Sequence, residues 1–232
     1  MVTFEQFQVR YAELRQRIER ACQKVKRDPN TVRVLPVTKT HPVEMVEWVS
    51  RVGLLTVGEN RVQEVATKRP LAPATMRWEL IGHLQSNKAK QALQLFEVLQ
   101  SVDAPDLATR LGRLAAELGK TPQVLLQVNA GHDPAKFGCE LAEAPRLLEA
   151  ALACPALQVR GLMAVAPLSD DPAVAELTFN NLRNCRDDLV QRFQVPLPEL
   201  SMGMSGDLEM AVEAGSTCVR VGSMLFGQRV AP

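Results

Sequence analysis

A lysine ends the apolar stretch VRVLPVTK, which runs from Val32 to Lys39 and predicts a buried strand. Burial disfavours the charged form of an amine, so a lysine at such a position is a candidate nucleophile. A nucleophilic amine of this kind can form a Schiff base with an aldehyde. The alternative is a lysine that leaves the strand and reaches water with its charge intact.

Further polar residues follow other predicted strands at the point where each strand ends. They are Asn60, His83, Asn129, Ser201, Ser205, Arg220 and Ser223. Taken singly, each of them is typical of an ordinary polar loop residue. In a parallel barrel, however, the carboxyl ends of all strands meet at one rim, which is where active sites of such barrels lie. The pattern therefore predicts a polar site at that rim.

Two glycine-rich turns at the end of the sequence predict an anion site. In SMGMSGDLEMAVEAG, Ser205 and Gly206 stand at the start of a predicted helix, and VRVGSMLFG repeats the arrangement with Gly222 and Ser223. Backbone N–H groups and the positive end of the helix dipole favour an anion there. The loops after strands seven and eight are a common phosphate position in barrels. Asp207 would repel a phosphate, so we expect it to point away.

The elements that position these residues alternate regularly along the chain. Eight mostly apolar runs predict strands at residues 32–39, 54–58, 78–81, 97–101, 123–128, 157–164, 199–202 and 217–221. An amphipathic helix with a capping box, Thr3-x-x-Gln6, precedes them, and helical segments follow the strands. The pattern predicts parallel strands buried on both faces, and the economical closed solution is a single (β/α)8 barrel over residues 1–232. An open doubly wound sheet is the alternative.

Composition excludes several classes of function. The 27 Lys and Arg against 26 Asp and Glu give a net charge of +1 without a basic block, so we expect no nucleic-acid partner. No apolar run is long enough to span a membrane and no signal-peptide pattern opens the sequence, so we expect a cytoplasmic protein without a membrane partner. The five cysteines contain no CxxC pair, which favours reduced thiols over disulfides or a metal site.

A nucleophilic lysine opposite a phosphate cradle leaves two interpretations open. One is a cofactor with both an aldehyde and a phosphate, pyridoxal 5′-phosphate, and the other is a sugar-phosphate aldolase that uses Lys39 on its substrate. Arg220 bears on the choice, because a guanidinium beside a pyridine nitrogen can only donate a hydrogen bond. That nitrogen then stays unprotonated and the ring is a weak electron sink. An aldolase would also need an acid/base pair near Lys39, for which His83 and Asp103 are the candidates.

Several segments resemble one known family, the pyridoxal phosphate homeostasis proteins, over nearly the whole chain. The segments are VTKTHP, VGENRVQEV, WELIGHLQSNKAKQAL, LSMGMSGDLEMAVEAGSTCVRVGSMLFGQR and the triplet KFG at residues 136–138. The resemblance implies an alanine-racemase-like barrel that carries pyridoxal 5′-phosphate on Lys39. It also implies cofactor contacts from Asn60, from the turn that contains Met202 and Met204, and from Ser205, Gly222 and Ser223, with Arg220 facing the pyridine nitrogen.

The resemblance further implies a protein that holds the cofactor and hands it on, to apo-enzymes among other recipients, and has no established turnover. A racemase-type enzyme remains an alternative, although racemisation needs two acid/base groups and the one tyrosine, Tyr11, lies on the stripe of the opening helix. We expect a monomer with no catalytic residue. Two positions depart from the family pattern: Glu79 stands where a histidine is expected, and His41 stands where some members carry a second lysine.

Overall fold

The chain folds into a parallel barrel, seen in a computed structural model that describes residues 2–227. Its strands are β1 (Arg33–Pro36), β2 (Thr56–Glu59), β3 (Arg77–Leu80), β4 (Val98–Val102), β5 (Gln123–Gln127), β6 (Gln158–Met163), β7 (Glu199–Ser201) and β8 (Cys218–Val221). They form one eight-stranded parallel sheet in the order β1-β8-β7-β6-β5-β4-β3-β2. A single bridge between Val37 and Gly58 brings β1 to β2. The predicted (β/α)8 barrel is confirmed, and the sheet is not the open alternative.

Helices surround the barrel. They are α1 (Phe4–Lys24), α2 (Glu44–Arg51), α3 (Val62–Lys68), α4 (Ala89–Leu95), α5 (Pro105–Glu117), α6 (Ala144–Leu152), α7 (Pro172–Phe193), α8 (Leu208–Glu213) and α9 (Ser223–Phe226). Each strand is followed by a helix on the outside, so the strands are buried on both faces. Within residues 2–227, no helix is both long and apolar enough to cross a membrane.

The first strand is shorter than the sequence predicts. It ends at Pro36, although the main chain continues hydrogen bonding, with Val37 N donating to Val221 O at 2.9 Å and Thr38 N to Gly58 O at 3.1 Å. The chain then turns at Thr40, which has a φ of 62°. Lys39 is therefore in a turn at the rim of the barrel, three residues beyond the end of β1.

The opening helix α1 lies on the outside of the barrel, next to the helices that follow β7 and β8. The capping box is present, because Thr3 Oγ1 accepts from Gln6 N and Gln6 Oε1 accepts from Thr3 N. The helix packs against α8 and α9, and the Phe7 ring stacks on Phe226 at 5.4 Å between centroids. Within residues 2–227, the helix after β8 is the four-residue α9, and α1 covers the flank beside it.

A polar chain crosses the barrel interior. Arg33 at the start of β1 donates to both carboxylate oxygens of Glu79, at 2.7 and 3.1 Å, and to Glu199 at 3.0 Å. Gln100 also donates to Glu79 and accepts from Ser201 Oγ at 2.6 Å. The carboxylate of Glu79 is thus paired and hydrogen-bonded, as a buried charge must be. This gives Glu79, the residue that departs from the family pattern, a structural role.

We predict that Phe7→Ala lowers the free energy of unfolding by about 4 kcal/mol, because a fully buried aromatic ring leaves a cavity when truncated. Denaturant titration measures it. Val9→Ala on the same helix is the control, since Val9 is 57% exposed and should cost less than about 0.5 kcal/mol. A cost for Phe7→Ala as small as that of the control would mean that α1 does not contribute to barrel stability.

Candidate functional site

A cavity of about 220 Å³ opens at the carboxyl ends of β1, β7 and β8. Its walls contain many of the residues singled out from the sequence: Lys39, Met204, Ser205, Gly206, Arg220, Gly222 and Ser223. Val37, His41, Ile81 and Gly227 complete the walls. The fold therefore brings the candidate nucleophile and both glycine-rich turns to one place, as the rim position of the strand ends requires.

The two turns face each other across the cavity. The hydroxyl oxygens of Ser205, after β7, and Ser223, after β8, lie 3.5 Å apart. Gly222 is packed so that a side chain there would approach the carbonyl oxygen of Val37 to 3.2 Å. Gly203 has a φ of 92° and sits against Ala211, so the turn before Ser205 requires glycine. The arrangement offers two hydroxyls and closely approaching backbone to an anion.

Helix α1 braces both turns from outside through Arg17. Its guanidinium donates to the Ser205 carbonyl oxygen at 3.4 Å and to the Met224 sulfur at 3.6 Å. It also forms a two-point ion pair with Glu209 on α8, at 2.5 and 2.6 Å. Hydrogen bonding from Arg17 lowers the pKa of Glu209. One side chain therefore ties the turn after β7 to the turn after β8.

Arg220 reaches the cavity from β8 with its guanidinium plane fixed. One terminal nitrogen donates to Ser201 Oγ at 2.9 Å and the other to the Ala164 carbonyl oxygen at 2.8 Å. Ser201 in turn donates to Gln100, so the interior polar chain that begins at Glu79 ends at Arg220. The residue is 4% exposed, and burial lowers the pKa of Arg220. An arginine nevertheless keeps its charge in proteins.

The cavity is electropositive. Lys39 and Arg220 contribute basic groups, and no carboxylate is among the residues that line it within the described part of the chain. Asp207 is turned aside, where it accepts a hydrogen bond from Met204 N at 2.5 Å and lines a neighbouring cavity. Burial raises the pKa of Asp207, although the Met204 N–H and Arg220 oppose that shift. The site as built favours an anionic ligand.

Five of the residues singled out from the sequence lie outside this cavity. Asn129 is buried, and its Nδ2 donates to the Asp133 carbonyl oxygen and to Glu140 Oε1, both at 3.1 Å. Ser201 is buried beneath the cavity, where it accepts from Arg220.

The other three are Asn60, His83 and Met202. Asn60 and His83 line a separate depression, where the His83 ring stacks on Phe137 at 4.0 Å and its Nδ1 lies 3.1 Å from Asp103. Met202 is fully buried, and its N–H donates to the Cys218 carbonyl oxygen at 3.1 Å. Neither Asn60 nor Met202 is among the cavity-lining residues, because β2 and the start of the β7 turn direct them elsewhere.

Four lining residues were not predicted as site residues from the sequence, and of these His41, noted only as a departure from the family pattern, has the most chemistry. Its ring lies 5.3 Å from Phe226, and it shares the turn with Lys39. Its position two residues after the candidate lysine was a usable signal. Val37, Ile81 and Gly227 carried none, because apolar residues at strand ends and a glycine after a helix are common.

Lys136, whose role the sequence leaves open, lines the second cavity beside the first. That cavity of about 580 Å³ shares Met204 and Gly206 with the first one and is lined in addition by the loop after β6.

Among residues 2–227 no group of three or more His, Cys, Asp or Glu side chains is arranged to hold a metal ion.

Comparison with known proteins gives consistent matches over the whole fold. A family model described as alanine racemase, N-terminal domain, matches residues 9–230. The pyridoxal phosphate homeostasis protein of Aquifex aeolicus is 37% identical over 221 residues, which are 95% of this chain and 97% of that protein. The crystal structure of a protein of unknown role from Bifidobacterium adolescentis has a TM-score of 0.90 at 32% identity, covering 96% of this chain and 95% of that one. The structure of PipY from Synechococcus elongatus with PLP bound has a TM-score of 0.81 at 38% identity, covering 91% of this chain and 100% of that one.

We predict that Arg17→Met lowers the free energy of unfolding at neutral pH by about 1 kcal/mol, the scale of a partly exposed ion pair. The Glu209 part of this stability is present above the usual glutamate pKa of 4.5 and is lost as the pH falls through the lowered value. The wild-type protein should therefore lose this increment in acid, and the variant should not.

Lys24→Met is the matched control, because Lys24 pairs with Glu213 at 2.8 Å between the same two helices but is exposed. We expect little change from it. Denaturant titrations at neutral pH and below pH 4.5 give the free energy of unfolding of all three proteins. If that free energy falls equally with pH in wild type and Arg17→Met, the Arg17–Glu209 pair does not contribute the predicted stability.

Proposed function

Because the chain belongs to the family of pyridoxal phosphate homeostasis proteins, which share the alanine racemase N-terminal domain, we propose that it binds pyridoxal 5′-phosphate in the cavity at the barrel rim. It holds this cofactor and hands it on, and it performs no turnover of its own. The observation that carries the proposal is the convergence of Lys39, Arg220 and the serine turns on one electropositive cavity. PipY, which is 38% identical, binds PLP.

The donor set fits the chemistry of this cofactor. Pyridoxal 5′-phosphate supplies an aldehyde that reacts with amines, a dianionic phosphate and an electron-withdrawing ring. Lys39 is the amine of the cavity, and Ser205 and Ser223 offer hydroxyls 3.5 Å apart to an anion. No lining carboxylate within residues 2–227 opposes a dianion. The residues present therefore match each reactive part of the group.

Each residue has a distinct role in this proposal. Lys39 would hold the cofactor covalently. Arg220 would donate a hydrogen bond to the pyridine nitrogen, from a guanidinium that Ser201 and Ala164 keep in place. The phosphate is bound by the two facing turns, which contribute Ser205, Gly206, Gly222 and Ser223. Met204 forms part of the wall. We assign supporting positions to Met202, beneath the β7 turn, and to Asn60, in the neighbouring depression.

The proposal that the protein performs no turnover is supported by the acid/base groups available. Racemisation needs one group on each face of the substrate plane. The titratable side chains among the described lining residues are Lys39, His41 and Arg220. Arg220 cannot exchange protons because it stays charged, and it leaves a neighbouring ring nitrogen unprotonated. Among these side chains His41 is therefore the one candidate for the second acid/base group. It lies on the same turn as Lys39, whereas racemisation needs groups on opposite faces of the substrate.

We also propose that the protein acts as a monomer in the cytoplasm and releases its cofactor to apo-enzymes. Lys39, Arg220 and both serine turns belong to the same chain, which supports binding by a single subunit. The cysteines are all unpaired thiols, which suits a reducing compartment.

We predict that mixing the protein with pyridoxal 5′-phosphate and reducing with borohydride labels the peptide that contains Lys39. The added mass is that of one cofactor less one water molecule and plus two hydrogen atoms. Lys39→Ala should lose this label, because the amine is gone. Lys88→Ala is the control, since Lys88 lines the separate depression and should leave the label in place. Mass spectrometry of the digested protein reads the outcome, and a label on a peptide without Lys39 would overturn the assignment.

The protein loaded with pyridoxal 5′-phosphate and not treated with borohydride should racemise no alanine and should pass its cofactor to an apo-enzyme. Sustained racemisation that is lost in both Lys39→Ala and His41→Ala would contradict the proposed role and favour a racemase-type enzyme.

We predict that Ser205→Asp weakens binding of pyridoxal 5′-phosphate about tenfold or more and affects pyridoxal, which lacks the phosphate, much less. Two unit charges about 4 Å apart repel by about 1 kcal/mol in water and by about 4 kcal/mol at an effective dielectric constant of 20. Ser205→Asn is the control of equal size without the charge. Equal losses for both ligands in the aspartate variant would place the phosphate elsewhere.

A further inference from the structure

The two peptide groups that flank Lys39 are both hydrogen-bonded by side chains of α3. Lys68 Nζ donates to the Thr38 carbonyl oxygen at 2.9 Å, and Thr40 N donates to Glu64 Oε2 at 2.9 Å. Glu64 and Lys68 are one helical turn apart and lie 3.5 Å from each other. The peptide before Lys39 and the peptide after it are therefore held by one helix, which we call the α3 bracket (Glu64 and Lys68).

The backbone at this point needs external support. Thr40 has a φ of 62°, a left-handed conformation that is unfavourable for a β-branched residue. Such a conformation persists only where surrounding contacts over-determine it, and it is typical of functional sites. The bond from Thr40 N to Glu64 is a contact of this kind. Without it the turn can relax toward ordinary dihedral angles, which would redirect the lysine that precedes it.

Lys68 is itself anchored to the barrel by Glu59, the last residue of β2. The Lys68 ammonium lies 2.7 Å from Glu59 Oε1, which also accepts from Thr38 Oγ1 at 2.8 Å. Burial raises the pKa of Glu59 and the charge of Lys68 opposes that shift. These contacts lie beside the Val37–Gly58 bridge, the one pairing between β1 and β2 among the described residues. The bracket therefore acts from a fixed point on the neighbouring strand.

We propose that Glu64 and Lys68 are positioning residues for Lys39, setting the direction from which its amine meets the aldehyde of the cofactor. The inference rests on the proposed function, in which Lys39 captures pyridoxal 5′-phosphate. Capture joins Nζ to the aldehyde carbon with loss of one water molecule, and its rate depends on the approach of the two atoms. A displacement of about 1 Å can slow such a reaction about 100-fold without removing any reacting group.

Glu64 gives the sharper test of the two residues. Its side chain is 22% exposed, whereas removing Lys68 would leave the buried carboxylate of Glu59 without its cation and endanger folding. Glu64→Leu removes the acceptor for Thr40 N at nearly constant size. Glu64→Gln keeps an acceptor oxygen and is the conservative rescue. Val65→Ala, a core change on the same helix outside the bracket, is the control for general loosening of α3.

Two quantities are measured for each variant. The first is the rate of covalent capture of pyridoxal 5′-phosphate, from borohydride-trapped mass at timed intervals. The second is the affinity for pyridoxine 5′-phosphate, whose alcohol cannot react with an amine. We expect Glu64→Leu to slow capture about tenfold or more while the affinity for the alcohol stays within about twofold. Glu64→Gln and Val65→Ala should capture at close to the wild-type rate.

Hydrogen exchange of the Thr40 amide gives a readout without any cofactor, and Glu64→Leu should lose protection there while Glu64→Gln retains it. Capture by Glu64→Leu at the wild-type rate would overturn the positioning role. A parallel fall in affinity for the alcohol, or equal slowing in Val65→Ala, would overturn it too, because either result indicates general loosening. Failure of the wild-type protein to capture the cofactor on Lys39 would instead overturn the proposed function.

Discussion

The buried carboxylate of Glu79 is the interaction on which the barrel interior depends. An isolated charge in this place would cost several kcal/mol, so the surrounding strands must supply partners. Arg33 from β1 and Gln100 from β4 do so, and Arg33 also binds Glu199 on β7. Ser201 and then Arg220 extend the same chain to the rim. Along the series from Arg220 through Ser201 and Gln100 to Glu79, each group donates to the next one toward Glu79.

This polar chain explains how a buried arginine can be held rigidly at a ligand site. Within the described residues Arg220 donates to a hydroxyl and a main-chain carbonyl oxygen, and not to a carboxylate. Its charge is therefore oriented without being neutralised within the site, and it remains available to a ligand. A carboxylate in place of Ser201 would give a tighter pair but a less electropositive cavity. The hydrogen bonds of the barrel interior thus set both the orientation of Arg220 and the positive charge of the site.

Support from outside the barrel is also concentrated on the site. Helix α1 covers the flank beside α9 and reaches both serine turns through Arg17, while α3 holds the turn that carries Lys39. The α3 support lies where β1 meets β2, and the contact between these two strands is one bridge and a few side-chain bonds. Local stability and site geometry are therefore coupled at this seam.

The alternation of strands and helices could be read from the sequence, because parallel strands covered on both faces are continuous apolar runs that differ from helical stripes. The same reasoning grouped Lys39 with Ser205, Gly222 and Ser223, since strand ends in a barrel share one rim and glycine-rich turns have a restricted geometry. The sequence could not show that β1 ends at Pro36, because the turn depends on a φ of 62° at Thr40 that is held by Glu64. It could not separate Asn60 and Met202 from the cavity walls either, since one step along a strand changes the direction of a side chain. The roles of Glu79, Arg17 and Lys68 were decided by tertiary structure alone, because each depends on a partner at least nine residues away in sequence that only the closed barrel brings within hydrogen-bonding distance.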